Sequence, residues 1–158
     1  MIPLFSFIAY SNTGKTTYIE KLIAELKARG TRAAAIKHDA HEFDVDKKGK
    51  DSWRFAQAGA DIVAVASATK CAVMHYRPME LSEILAQIKD VDLILVEGWH
   101  TAAQNKILLY RKDSGAPPKL DPKDCLAVVS DAPLECGSTP IFPLDDVCPM
   151  ADFLLSHI

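Results

Sequence analysis

Residues 9–17, A-Y-S-N-T-G-K-T-T, gather the residue types that hold a phosphate. A loop between a strand and a helix points successive backbone N–H groups at phosphate oxygens, at the positive end of the helix, and the pattern G-x-x-x-x-G-K-[ST] encodes such a loop. The chain matches it at every position but the first, where Ala9 replaces Gly. Gly14 lets the backbone approach the phosphates, Lys15 supplies charge to the β- and γ-phosphates, and Thr16 offers its hydroxyl to Mg²⁺. Ser11, Asn12 and Thr13 complete the nucleotide-binding stretch, and Thr17 is expected to begin packing the helix on the sheet. Ala9 costs conformational freedom at the loop entrance, but it only leaves the strand and needs no positive φ if its backbone stays extended.

Such a loop needs a partner acid at the end of a neighbouring buried strand, to hold Mg²⁺ or its water. The run VDLILVEG offers Asp92 and Glu97. Because the loop sits at the carboxyl ends of parallel strands, Asp92 would lie roughly 16 Å down the sheet, at about 3.3 Å per residue. Glu97 is therefore the metal-side and catalytic candidate, with Thr16 as its companion at the metal, and Asp92 reads as a solvated residue at the strand start. Asp39, just beyond the second strand, is the other catalytic candidate, placed to reach the metal's water or to orient an attacking one.

A second polar cluster holds Lys37, His38, Asp39, His41, Glu42, Asp44, Asp46, Lys50, Asp51 and Arg54, with Ser52 a further candidate for an anion. Long polar loops in compact domains are often functional. Lys50 precedes a helix start and Arg54 falls in its first turn, an arrangement suited to an anion. Lys37, His38 and His41 join them as candidates for a second ligand, although the His38/His41 spacing without a third ligand is weak for a transition metal. Trp53 and Phe55 read as core packing, while Trp99 and His100 follow Glu97 and Gly98 closely enough to overlook a nucleotide.

Elements that position these groups can be read from pattern. Residues 4–9 and 32–37 are short apolar strands around a helix at 15–29, whose inner face carries Tyr18, Ile19, Leu22, Ile23 and Leu26 and whose C-cap is Gly30. A helix capped by Asp51 or Ser52 runs to Gly59. Residues 61–66 and 71–76 form a hairpin, which predicts a sheet that is partly mixed. A helix at 79–89, a buried strand ending at Glu97, strands at 106–111 and 125–130, a short TPIFPL and a closing helix complete an α/β chain. The expected fold is a three-layer P-loop NTPase-like one, with a mostly parallel sheet flanked by helices and residues 1–158 in a single nucleotide-binding domain.

Bulk properties narrow the classes. The chain has 158 residues, 49% of them hydrophobic, enough for one sizeable core. A net charge of −3 argues against binding of nucleic-acid backbone. No apolar run is long enough to span a bilayer, no secretory leader is evident, and the four Cys show no C-x-x-C, so reduced thiols in a cytoplasmic protein are expected. The guanine-reading pattern N-K-x-D is absent, since N-K-I-L (105–108) and T-K-C-A (69–72) lack its Asp. Residue chemistry thus leaves ATP and GTP open.

Three segments together, AYSNTGKTTYIEKL, KHDAHEFDVDKKGKDSWRFAQAGAD, and DLILVEGWH followed by KILLYR, resemble the molybdopterin-guanine dinucleotide biosynthesis protein B (MobB) family. Ala9 and Lys48 depart from the family's usual Gly and Pro. The resemblance implies GTP and Mg²⁺ as ligands, weak GTPase activity, a homodimer, and an adapter or carrier role in making the guanine dinucleotide form of molybdenum cofactor. It also implies as partners the guanylyltransferase of that cofactor and molybdopterin-transferring proteins, with molybdopterin a further candidate ligand. Two other classes fit single features: a nucleotide-dependent metal chaperone of the nickel-insertion type, from His38, His41 and the Cys residues, and a small-molecule kinase, from the Lys50–Arg54 cluster.

Overall fold

A computed structural model of the chain describes residues 2–38, 43–99 and 104–158. Internal contacts divide it into two units, one formed by Met1–His38 with Ile88–Ile158, the other by Asp39–Gln87. Asp39, His41 and His100, candidates from the sequence, lie outside the described residues.

The larger unit is built on a six-stranded sheet of order β2-β5-β1-β6-β7-β8, comprising β1 (Leu4–Ile8), β2 (Ala33–Lys37), β5 (Leu93–Glu97), β6 (Lys106–Tyr110), β7 (Ala127–Ser130) and β8 (Ile141–Pro143). Every pairing in it is parallel. Strands β1 and β5 are buried almost throughout, which is why LFSFI and LILVE read as continuous apolar runs without alternation. Helix α1 (Lys15–Ala28) and helix α4 (Cys148–Leu155) lie on one face of the sheet. There Phe5, Phe7, Leu95 and Ile107 meet Leu22 and Leu26 of α1 and Met150 and Leu154 of α4. Burying each such side chain stabilises the fold by roughly 1.5–3 kcal/mol.

The period of α1 is the predicted one, with Tyr18, Ile19, Leu22 and Leu26 buried and Ile23 packed at the core's margin. Its end is a Schellman arrangement: Gly30 takes φ 81°, its N–H donates to the Lys27 carbonyl at 3.0 Å, and the Thr31 N–H donates to the Leu26 carbonyl at 3.0 Å. Thr17, expected to pack on the sheet, is exposed; the first buried residue of α1 is Tyr18. The opposite face of β6 and β7 is covered by a small cluster in which Leu108 and Val128 meet Cys125 and Cys136. Burial pushes the Cys125 thiol up to about 11.

The smaller unit holds α2 (Asp51–Gln57), the antiparallel hairpin β3 (Ile62–Ala66) and β4 (Cys71–His75), and α3 (Leu81–Gln87). The antiparallel pairing foreseen from the sequence therefore resides in a separate two-stranded sheet. Strand periodicity identifies a hairpin, but it does not say which sheet the hairpin joins. Two local expectations need correction. Helix α2 is capped by Lys50 in extended conformation, with no side-chain cap, because it begins at Asp51 and so places Asp51 and Ser52 inside its first turn, where the Ser52 hydroxyl donates to Asp46 at 3.0 Å. Phe55 is exposed at 61%, so it is no core residue.

Candidate phosphate-loop site

The chain leaves β1 toward β2 and β5 on one side and toward β6, β7 and β8 on the other, so β1 marks the switch in strand order. Ligands of open parallel sheets bind outside the carboxyl ends of the strands at such a point. Residues 9–14 occupy that place, between β1 and α1.

The loop's shape is set by a few local choices. Asn12 has φ 63° and Gly14 φ 87°, both left-handed, a region that Asn tolerates and Gly enters without cost. Thr13 is buried, and its hydroxyl donates to the Tyr10 carbonyl at 2.9 Å, pinning the turn. Ala9 is absent from the positive-φ residues and its methyl belongs to the main core, so the substitution for Gly fits the strand exit as anticipated. Lys119 lies over the Tyr10 ring, 5.4 Å from its centre.

Glu97 ends β5 directly beside β1, in register with Phe7, and meets both chemical residues of the loop. The Thr16 hydroxyl donates to its two carboxylate oxygens at 3.0 and 3.3 Å, and the Lys15 ammonium stands 3.7 Å from one of them. Hydroxyl and carboxylate are hard oxygen donors, the set that suits Mg²⁺, which keeps several waters and takes its other ligands from phosphates. The residues present therefore fit a Mg²⁺-nucleotide. Among the described residues, no group of three or more His, Cys, Asp or Glu side chains is placed to hold a metal ion.

The backbone behind Glu97 is equally constrained. The His38 N–H donates to the Glu97 carbonyl at 2.8 Å, carrying the β2–β5 ladder one step past Lys37, which is itself in register with Glu97. Gly98 follows with φ 90°, and a Cβ there would lie 2.5 Å from the His38 carbonyl oxygen. The His38 ring packs on Trp99, ring centres 4.4 Å apart, so a second-ligand candidate and a residue expected to overlook the nucleotide meet each other. Of the second-ligand set, Lys37 and His38 belong to this unit. Lys50, Asp51, Ser52 and Arg54 belong to the other, where Arg54 pairs with Asp51 at 3.8 Å in the open.

Asp92 departs from the expectation of a solvated residue. It accepts from the Arg32 N–H at 2.7 Å and from the Arg32 guanidinium at 3.0 Å, clamping the starts of β2 and β5. Those hydrogen bonds hold its carboxyl below the usual carboxylate range.

One residue of the site escaped the sequence reading. Arg111, the residue after β6, donates from Nε to the Thr13 carbonyl at 3.1 Å and lays its guanidinium beside Gly14. A signal was available: KILLYR is an apolar strand ending in a charge beside β1, the same argument that selected Glu97 on the other flank.

A parallel sheet switching at β1, a left-handed loop into α1 and a Lys-Thr pair facing an acid on the next strand define a P-loop NTPase-like fold. The chain belongs to the MobB family: the model for molybdopterin guanine dinucleotide synthesis protein B matches residues 4–131. The molybdopterin-guanine dinucleotide biosynthesis adapter protein of Haemophilus influenzae is 42% identical over 158 residues, covering 97% of this chain and 88% of that protein. The protein of the same name from Escherichia coli is also 42% identical, over 98% of this chain and 93% of its own length. The crystal structure of Bacillus subtilis MobB superposes with a TM-score of 0.79 at 28% identity, covering 99% of this chain and 98% of that one.

Proposed function

We propose that this chain binds GTP with Mg²⁺ and acts as an adapter in synthesis of the guanine dinucleotide form of molybdenum cofactor. The observation that carries the reading is the convergence of Lys15 and Thr16 on Glu97 at the mouth of the phosphate loop. Phosphate oxygens on the loop take the backbone N–H groups of residues 11–17, Lys15 neutralises the terminal phosphates, and Thr16 and Glu97 hold Mg²⁺ or its water. Mg²⁺, when bound, screens the charge on the phosphates. Thr17 adds the last of the amides. Guanine, rather than adenine, follows from the pathway named in the adapter relatives.

With Glu97 on the metal side, the water has no strong general base and hydrolysis is slow; Asp39 is the residue assigned to orient that water. The partner is the guanylyltransferase, with molybdopterin-transferring proteins beside it, and Lys37, His38, His41, Lys50, Asp51, Ser52 and Arg54 are each candidates for contacts with molybdopterin or the partner. Residues 1–158 act as one nucleotide-binding domain, supported by relatives that match along 97% and 98% of the chain. A cytoplasmic location agrees with four unpaired thiols, and no described helix is long and apolar enough to cross a membrane. A homodimer agrees with the exposed side of the hairpin, where Ile62 and Val73 face solvent from a sheet of only two strands. Nothing observed favours the metal chaperone or the kinase.

The test is reconstitution with a guanylyltransferase of this pathway, molybdopterin and GTP. Adding the chain should raise the yield of guanine dinucleotide, and Lys15→Ala should abolish the gain. An equal yield with wild type, Lys15→Ala or neither would contradict the adapter role.

A further inference from the structure

A cleft of about 680 Å³ opens at the carboxyl ends of β6, β7 and β8, and Arg111 forms one of its walls. The same Arg111 holds the Thr13 carbonyl and borders Gly14, so the cleft begins where the phosphate loop ends. Its volume is within the roughly 300–1,000 Å³ typical of small-ligand sites. Lys21 of α1 faces it from one side, while Pro143, the last residue of β8, and Leu144 after it give it an apolar wall suited to a planar ring.

Asp131, the residue after β7, lines it too. The Lys112 N–H donates to one Asp131 carboxylate oxygen at 2.8 Å, fixing the group. The turn beneath is locked as well, because the Ser130 hydroxyl donates to the Ala132 carbonyl at 2.7 Å and accepts from the Ala132 N–H at 3.0 Å. The second carboxylate oxygen takes no partner among the described residues. An ionised carboxylate only accepts, and its two oxygens match a pair of parallel donors. Guanine offers such a pair in N1–H and the 2-amino group, whereas adenine presents an acceptor at N1.

Resting on the GTP reading above, we infer that this cleft receives the base of the nucleotide and that Asp131 reads it as guanine. Arg111 then joins the two halves of one site, touching the phosphate loop on one side and the base on the other. This supplies the guanine selector for which the sequence shows no N-K-x-D.

The test compares binding of GTP, ITP and XTP, each with Mg²⁺, to wild type, Asp131→Asn and Asp145→Asn. ITP lacks the 2-amino group, so wild type should bind it roughly 10-fold or more weakly than GTP, the cost of a hydrogen bond to a charged group. Asp131→Asn should lose roughly 10- to 100-fold in GTP affinity and gain XTP, whose 2-oxo group accepts from the new amide. Asp145→Asn, across the same cleft, should do neither. GTP binding by Asp131→Asn equal to wild type, a loss without gain of XTP, or a switch produced by Asp145→Asn would overturn the assignment. If Asp131→Asn does not fold, the wild-type comparison decides, and equal binding of GTP and ITP refutes it. Wild type binding no triphosphate at all would instead refute the nucleotide reading itself.

Discussion

Gly98 shows how few choices the residues around the loop have. It combines a left-handed backbone with a carbonyl 2.5 Å from where a Cβ would sit, and that carbonyl belongs to His38, whose N–H anchors Glu97. Gly98→Ala should therefore destabilise the protein by about 1–3 kcal/mol and weaken nucleotide binding together with it, checked by denaturant unfolding and by titration with GTP. Unchanged stability would show that the strand end adapts freely. Position along a strand puts Glu97, and not Asp92, at the loop's end of the sheet, because five residues separate the two. Arg111 follows β6 in the same way, whereas no local pattern shows that Asp92 is held by Arg32. That pair joins residues 60 apart in the chain. Phe55 and Thr17 are exposed for a related reason: residue type or position at a helix start suggests burial, but only the packing partner decides it.

Elements were more legible than contacts. The helix following the loop, its Gly30 stop and the apolar strands emerged from periodicity, since each is dictated by which side must avoid water. Strand pairing was less so. The hairpin could be recognised, yet its separation from the main sheet depends on long-range packing that no window of sequence contains. The clamp between β2 and β5 yields a prediction at this scale. Arg32 lowers the carboxyl of Asp92, so the pair stabilises the fold above the unfolded carboxyl value of about 3.9 and its contribution is lost as pH falls through the lower folded value. Asp92→Asn should be less stable than wild type near neutral pH, and the gap in thermal midpoint should close as the medium is acidified through that range. A gap that persisted at acid pH would show that the hydrogen bonds, not the charge, do the holding. Exposure of the pair keeps the effect small.

At the scale of the whole molecule, the order β2-β5-β1-β6-β7-β8 is what brings distant residues to one edge. Glu97, Arg111 and Asp131 are each the last residue of a strand or the first after one, on three different strands. The sequence shows them as charges closing apolar runs; the strand order brings Glu97 and Arg111 to the loop and puts Arg111 and Asp131 on one cleft. This makes the central claim, a Mg²⁺-nucleotide on the loop of residues 9–17, directly measurable. Calorimetric titration of the purified protein with GTP in the presence and absence of Mg²⁺, with ATP as competitor and Lys15→Ala as control, should give saturable GTP binding that Mg²⁺ strengthens, that ATP displaces poorly and that Lys15→Ala loses. Binding of GTP by Lys15→Ala as tight as wild type, or no preference for GTP over ATP, would contradict it.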